Sequence, residues 1–267
     1  MDQENYDFLT EKLKYTGFED KLNAALKKEI NSDKEEFSLN LPMKIDGKEM
    51  QFDLHFKKSQ VSDRYFFNKY DAKLFGEEGA EPKVHTFYQN QGVTAKESFN
   101  LLEGRGVQKS LVDSGNEPYK AWLQLDLSKK DSRNNFEVNQ YHEKYGFDLE
   151  AKLKELPILE LKDDTIKGWM LKSIQKGNQY PVTMEVKGKE EIMFVEASPK
   201  YKAVNVYDIT FATVKVSDLK LKNDTLKENS QEMGEAKEQS KKKGLKEEKV
   251  EGGKIPKRPK TRKSVKV

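Results

Sequence analysis

Residues 37–56 read FSLNLPMKIDGKEMQFDLHF. Apolar side chains occupy alternate positions on either side of Ile45-Asp46-Gly47-Lys48. Phe37, Leu39 and Leu41 share one side of a strand, and Met50, Phe52, Leu54 and Phe56 share one side of the next. Period two is the signature of a strand with one buried face. Asp-Gly between two such runs supplies the positive φ values of a tight hairpin turn. The stretch therefore predicts antiparallel sheet with one face that needs a cover.

Upstream, the pattern becomes helical. Tyr6, Leu9 and Leu13 form one stripe, and Leu22, Ala25, Leu26 and Ile30 another, with a break at Thr16-Gly17. Downstream, Tyr65–Leu74 reads as a third strand and Lys83–Tyr88 as a fourth, joined by a loop over Gly76–Pro82. Thr94-Ala-Lys-Glu97 is a capping box that opens a helix, with Ala95, Phe99 and Leu102 on one face and Gly104 at its end. Residues 107–112 are expected as a second short helix. Strands follow over Tyr119–Leu127 and Phe136–Tyr141. Gly146 then precedes a helix ending near Leu156-Pro157, and another carries Ile166, Trp169, Met170 and Ile174 up to Gly177-Asn178. Val182, Met184 and Val186 alternate before a Lys187-Gly188-Lys189 turn. Ile192 and Phe194 mark the return strand, and Val204 and Val206 a last one.

Two stretches resemble each other. Lys14-Tyr-Thr-Gly-Phe-Glu-Asp20 is similar to Lys144-Tyr-Gly-Phe-Asp148, and Met43-Lys-Ile-Asp-Gly-Lys-Glu49 to Met184-Glu-Val-Lys-Gly-Lys-Glu190. Tyr70-Asp71 and Tyr207-Asp208 end the third strand of each. The offset between the glycines Gly47 and Gly188 is 188 − 47 = 141 positions. The fold expected is α+β: two helix-plus-antiparallel-β-meander units joined by a helical middle segment, with a disordered C-terminal tail. The boundaries drawn are 1–92, 93–227 and 228–267. A helix laid on one sheet face gives each unit a small core of its own.

Charge divides the chain more sharply than pattern does. The 267 residues carry a net +3. From Ser230 onward there are 13 Lys/Arg and 6 Glu, so the tail carries 13 − 6 = +7 and the remainder +3 − 7 = −4. The body holds all 14 Phe and all 11 Tyr, enough for a real core. Without a single cysteine, disulfide frameworks, thiol nucleophiles, zinc ribbons and iron–sulfur sites are excluded. The N-terminus lacks the apolar segment of a signal peptide, and no run approaches a membrane span. A soluble cytoplasmic protein is expected.

Catalytic signatures are absent. His55, His85 and His142 read as solvated or hydrogen-bonded residues, since none pairs with another at metal-ligand spacing. Gly104-Arg-Gly-Val-Gln-Lys-Ser110 fails the spacing of a phosphate loop. Arg105 and Lys109, beside two glycines, nevertheless suit contact with a phosphate backbone. Asp163-Asp164 reads as a helix cap. Tyr65, Phe67, Trp122 and Tyr207 are candidates for a base-stacking surface; ordinary core is the first reading for Phe67 and Trp122.

From Thr94 to Asp208, ordered motifs follow one another: Ala95-Lys-Glu-Ser-Phe-Asn-Leu-Leu-Glu-Gly-Arg-Gly-Val-Gln-Lys109, Ala121-Trp-Leu-Gln-Leu-Asp126, Gln140-Tyr-His-Glu-Lys-Tyr-Gly-Phe-Asp-Leu149, Lys176-Gly-Asn178 and Asn205-Val-Tyr-Asp208. With Tyr65-Phe-Phe-Asn-Lys-Tyr-Asp71, they resemble a family of uncharacterised proteins, a domain of unknown function, carried by Bacteroidota conjugative transposons and plasmids. The chain departs from that pattern at Ser198-Pro-Lys-Tyr-Lys202, where the family has Asn-Pro-Gln-Phe-Lys. The resemblance covers the body and not the tail. It implies an accessory protein of a mobile element and no particular chemistry.

The function expected is therefore that of a non-enzymatic binding protein for nucleic acid (RNA or DNA) or a nucleoprotein complex. Arg105, Lys109, Lys254, Lys257, Arg258, Lys260, Arg262 and Lys263 are its candidate contacts. The alternative is an anti-defence protein, similar to anti-CRISPR proteins, that inhibits an RNA-guided effector by binding it or its guide RNA. Neither reading requires a cofactor, a metal, a membrane or a small-molecule substrate.

Overall fold

A computed structural model describes residues 2–77 and 79–219 of the chain. The expected tail, residues 228–267, and its six candidate cations lie outside the described residues.

Two helices, α1 (Gln3–Thr16) and α2 (Asn23–Asn31), precede four strands in meander order: β1 (Glu36–Ile45), β2 (Lys48–Lys58), β3 (Tyr65–Leu74) and β4 (Lys83–Tyr88). The hairpin turn is as expected, with Asp46 and Gly47 at φ 48° and 78° and Ile45 paired to Lys48. Leu9 and Leu13 of α1, Phe18 and Leu22 of the link, and Leu26 and Ile30 of α2 share a core with the inward strand residues. That core is aromatic. Phe18 meets Phe52 and Tyr70 edge-on with ring centroids 5.2 and 5.3 Å apart, and Phe37 stacks on Phe56 at 4.9 Å. Burying one such ring contributes about 2–3 kcal/mol. Asn5, buried on α1, ties the helix to the sheet by accepting from Tyr65 N at 2.8 Å and donating to Tyr65 O at 3.0 Å.

The middle segment is helix α3 (Ala95–Leu102) followed by a three-stranded sheet: β5 (Val107–Val112), β6 (Pro118–Lys130) and β7 (Phe136–His142). Residues 107–112 are thus a strand and not the expected short helix. The run Val-Gln-Lys-Ser-Leu-Val has β-branched ends, and pairing with β6 from Val107↔Leu123 to Val112↔Pro118 decides its conformation. Strand β6 buries both faces. Ala121, Leu123 and Leu125 join the first core, while Trp122 turns to the second and meets Phe147 at 5.3 Å.

The third part repeats the plan of the first. Helices α4 (Leu149–Lys154) and α5 (Asp164–Gln175) lead into the meander β8 (Tyr180–Val186), β9 (Lys189–Ser198), β10 (Ala203–Tyr207) and β11 (Thr213–Val214). Lys187 and Gly188 make the matching turn at φ 53° and 71°. The core here is aliphatic, built from Leu153, Met170, Ile174, Val182, Met184, Met193, Val195 and Val206. Trp169, expected on the inner stripe of α5, is instead 63% exposed. Ile192 and Phe194 are not the inward residues of β9. Met193 and Val195 are, because Val182 and Tyr180 pair with them across the hairpin. The Tyr-Asp landmarks are also out of phase. An offset of 141 carries Leu54 onto Val195, so the position of Tyr70, opposite Leu54, matches Val206, opposite Val195. Tyr207 then occupies the place of Asp71, on the other face, as a one-residue shift requires. The two cores do not divide at residue 92, since α3 and most of the middle sheet bury their apolar side chains in the first.

Candidate nucleic-acid interface

Helix α3 is buried nearly all round: Ala95 and residues 97 to 102 are covered. Its capping box forms, with Glu97 Oε2 accepting from Thr94 N at 2.9 Å. The same carboxylate receives Lys109 Nζ at 2.9 Å, in a pair whose side chains are only 15% and 5% exposed. Arg105 is committed in the same way. Its guanidinium donates to Asn100 Oδ1 at 2.8 Å, lies 3.8 Å from Glu196 and 3.9 Å from Glu103, and covers the Phe99 ring. Sequence adjacency brings Arg105 and Lys109 together, but the structure sends them to different places with carboxylate partners already in hand. A phosphate would have to displace those partners.

The Arg105 network joins α3 to the third sheet. Buried Asn100 donates to Lys176 O at 2.7 Å and to Asn178 Oδ1 at 2.9 Å. Glu196 accepts from Gln179 at 3.0 Å, Asn205 at 2.9 Å and Tyr207 at 2.8 Å. Burial, followed by the bond to Glu196, pushes the Tyr207 phenol up to about 12. Gly177 is needed where the parts meet, because a Cβ there would lie 2.9 Å from Asn100 Cβ and from Val107 Cγ2. Such a satisfied buried network fixes the orientation of its members.

The expected stacking surface does not exist. Tyr65, Phe67 and Trp122 are buried, and Tyr207 is half-buried within the network just described. His85 also departs from expectation. It is buried between Phe87 and Phe136, its Nδ1 has no partner among the described residues, and burial lowers its pKa to about 4.

On the open face of the first sheet, one polar side chain per strand forms a row. Ser38 Oγ lies 2.9 Å from His55 Nδ1, His55 Nε2 lies 2.7 Å from Asp71 Oδ2, and Thr86 Oγ1 donates to Asp71 Oδ1 at 2.6 Å. The order matches that of a serine nucleophile, base and orienting acid. Chemistry would further require oxyanion donors and a cavity. None of the grooves described for this protein is lined by Ser38, His55 or Asp71. Ser38 and His55 are direct cross-strand partners, as are Asp71 and Thr86, so strand pairing explains the row without catalysis.

Free positive charge gathers elsewhere. A groove of about 530 Å³ runs along edge strand β5 and the last turn of α5. Gln108 and Ser110 come from β5, Lys120 from β6, Lys172 and Gln175 from α5, and Lys176 from the cap that follows it. Lys109 reaches its wall, held by Glu97. Lys120, Lys172 and Lys176 are exposed, and none forms an ion pair among the described residues. A second groove of about 630 Å³ adjoins it through Ser110 and Lys120 and adds Tyr119, His142 and Lys144. The Tyr119 and His142 rings lie 5.1 Å apart. Lys144 too is exposed and without an ion pair among the described residues. Sequence reasoning missed these residues because strand β5 and the end of α5 are some 65 positions apart in the chain (Ser110 to Gln175). No local motif links them. Only the lysine spacing at the end of α5, Lys172 in its last turn and Lys176 at its cap four positions on, was visible beforehand.

No protein-family model matches the chain, and no curated protein or solved structure matches it significantly. No helix among the described residues is long and apolar enough to cross a membrane.

Proposed function

We propose that the protein is a non-enzymatic accessory protein of a mobile genetic element that binds nucleic acid, free or within a nucleoprotein complex, through the β5–α5 groove. One observation carries this reading. In a body with a net charge of −4, three lysines without carboxylate partners (Lys120, Lys172 and Lys176) converge on one groove beside the polar side chains Gln108, Ser110 and Gln175. Other lysines of the described residues are held by carboxylates, as Lys48 is by Glu103 and Lys58 by Asp33 and Asp63. Leaving several cations unpaired along one groove favours a polyanion, whose counterions they release on binding. The groove, rather than Arg105, is the natural phosphate contact.

The test compares three full-length forms for affinity to a labelled oligonucleotide across a salt titration. These are the native chain, a Lys120→Ala, Lys172→Ala, Lys176→Ala variant, and a variant with alanine at Lys254, Lys257, Arg258, Lys260, Arg262 and Lys263. Loss of three phosphate contacts is expected to weaken binding about 100-fold at 0.1 M salt and to flatten the salt slope by about 2. Unchanged affinity in the groove variant, with all binding lost in the tail variant, would overturn the assignment.

A further inference from the structure

The two adjoining grooves differ in chemistry, and the difference bears on the form of the ligand. The first offers lysines and amides along its walls. The second, which shares Ser110 and Lys120 with it, offers a pair of rings. Tyr119 stands on β6 and His142 at the end of β7, with ring centroids 5.1 Å apart and planes inclined at 33°. Tyr119 is oriented by donating its hydroxyl to Gln140 Oε1 at 3.2 Å. Lys120 and Lys144 line the same groove as the rings, with Glu143 as the carboxylate in its wall. The volume, about 630 Å³, is ample for a planar heterocycle.

Resting on the nucleic-acid reading of the first groove, we infer that the ligand is a single strand, one of whose bases stacks at the Tyr119–His142 pair while the adjoining phosphates follow the lysines toward α5. A duplex keeps its base faces inside the stack and has nothing to place against two rings. A single strand presents every base face, and proteins that hold one combine a basic groove with aromatic platforms. The rings line one groove and most of the cations the other, and the two grooves share Ser110 and Lys120. The aromatic residues first suspected of this role are in the core or the Glu196 network. Tyr119 and His142 take the role instead because they lie toward the β5–β6 hairpin end of the middle sheet, where Tyr119 is only partly buried against the first core and His142 is exposed.

The experiment uses full-length protein and an oligonucleotide carrying 2-aminopurine, together with a duplex of the same sequence. The single strand is expected to bind at least tenfold more tightly than the duplex, with 2-aminopurine fluorescence quenched on binding. His142→Ala, at an exposed position, and Tyr119→Ala are each expected to weaken single-strand binding about tenfold. They should abolish the quenching and leave the salt slope and the duplex affinity unchanged. Tyr119→Phe retains the ring and should retain the quenching. Duplex binding as tight as single-strand binding overturns the inference and leaves the groove's role as a phosphate site intact. Single-strand affinity indifferent to both alanine variants overturns it equally. Binding of neither form overturns the nucleic-acid reading and this inference with it.

Discussion

The first and third sheets share a plan and differ in filling. Each follows a helix pair, each is a four-stranded antiparallel meander, and each turns its first hairpin on a residue-glycine pair with both φ values positive. The first encloses Phe18, Phe52, Phe56, Phe67 and Tyr70, whereas the third encloses methionines and valines. The outer faces differ as well. That of the first sheet carries the open row from Ser38 to Thr86, while part of the third is covered where Glu196 meets Arg105. Topology is thus set by alternation and turn geometry, which the two units share, and is indifferent to whether the inward residues are rings or chains. Core chemistry decides how each unit responds to damage.

The largest effect should come from removing a central side chain from each. Phe52→Ala is expected to cost about 4 kcal/mol and Met184→Ala about 3 kcal/mol, measured by denaturant unfolding. Methionine is flexible, and its neighbours collapse more readily into the space it leaves. Equal costs would break the contrast between a rigid aromatic core and an adaptable aliphatic one.

The second effect belongs to the first core alone. Burial holds His85 neutral down to about pH 4, whereas in the unfolded chain it takes up a proton below about pH 6.5. As its folded pKa is depressed, the unfolded state binds the extra proton between these values. Stability is therefore expected to fall as pH drops from about 6.5 to about 4, by about 3 kcal/mol in all. His85→Phe should remove that part of the pH dependence in a stability–pH profile. An unchanged profile would show that His85 is not the source.

The smallest effect tests what the two units have in common. Gly47 and Gly188 lie at φ 78° and 71°, and a Cβ at either meets no atom within 4 Å. Alanine should cost only the left-handed conformation, about 1 kcal/mol at each site. A large inequality in the two unfolding free energies would show that the hairpins are not equivalent.

Much of the fold was legible in the chain. The Asp46-Gly47 turn and the flanking alternation predicted β1 and β2, and Tyr65–Leu74 and Lys83–Tyr88 were read to their ends. The capping box at Thr94 formed as expected. Failures had particular causes. Residues 107–112 are short and apolar at both ends, a pattern that fits helix and strand alike, and pairing with β6 settled it. In β9, Ile192, Met193, Phe194 and Val195 are all apolar, so alternation could not say which pair faced inward. Register with β8 did. Arg105 and Lys109 looked free because no local spacing rule pairs them with Glu196, 196 − 105 = 91 positions away, or Glu97, 109 − 97 = 12 positions away; packing does.

By itself, the sequence determined what depends on neighbours along the chain: the antiparallel class, the hairpins, the helix caps, and the opposition between a basic tail segment and an acidic body. These follow from local dihedral preference and from the period of burial, both properties of a few consecutive residues. The tertiary structure alone decided which cations are free. Whether a lysine meets a carboxylate is a distance between groups far apart in sequence, and packing sets that distance. The same packing places Lys120, Lys172 and Lys176 on one groove and sets beside it the groove that Tyr119 and His142 line.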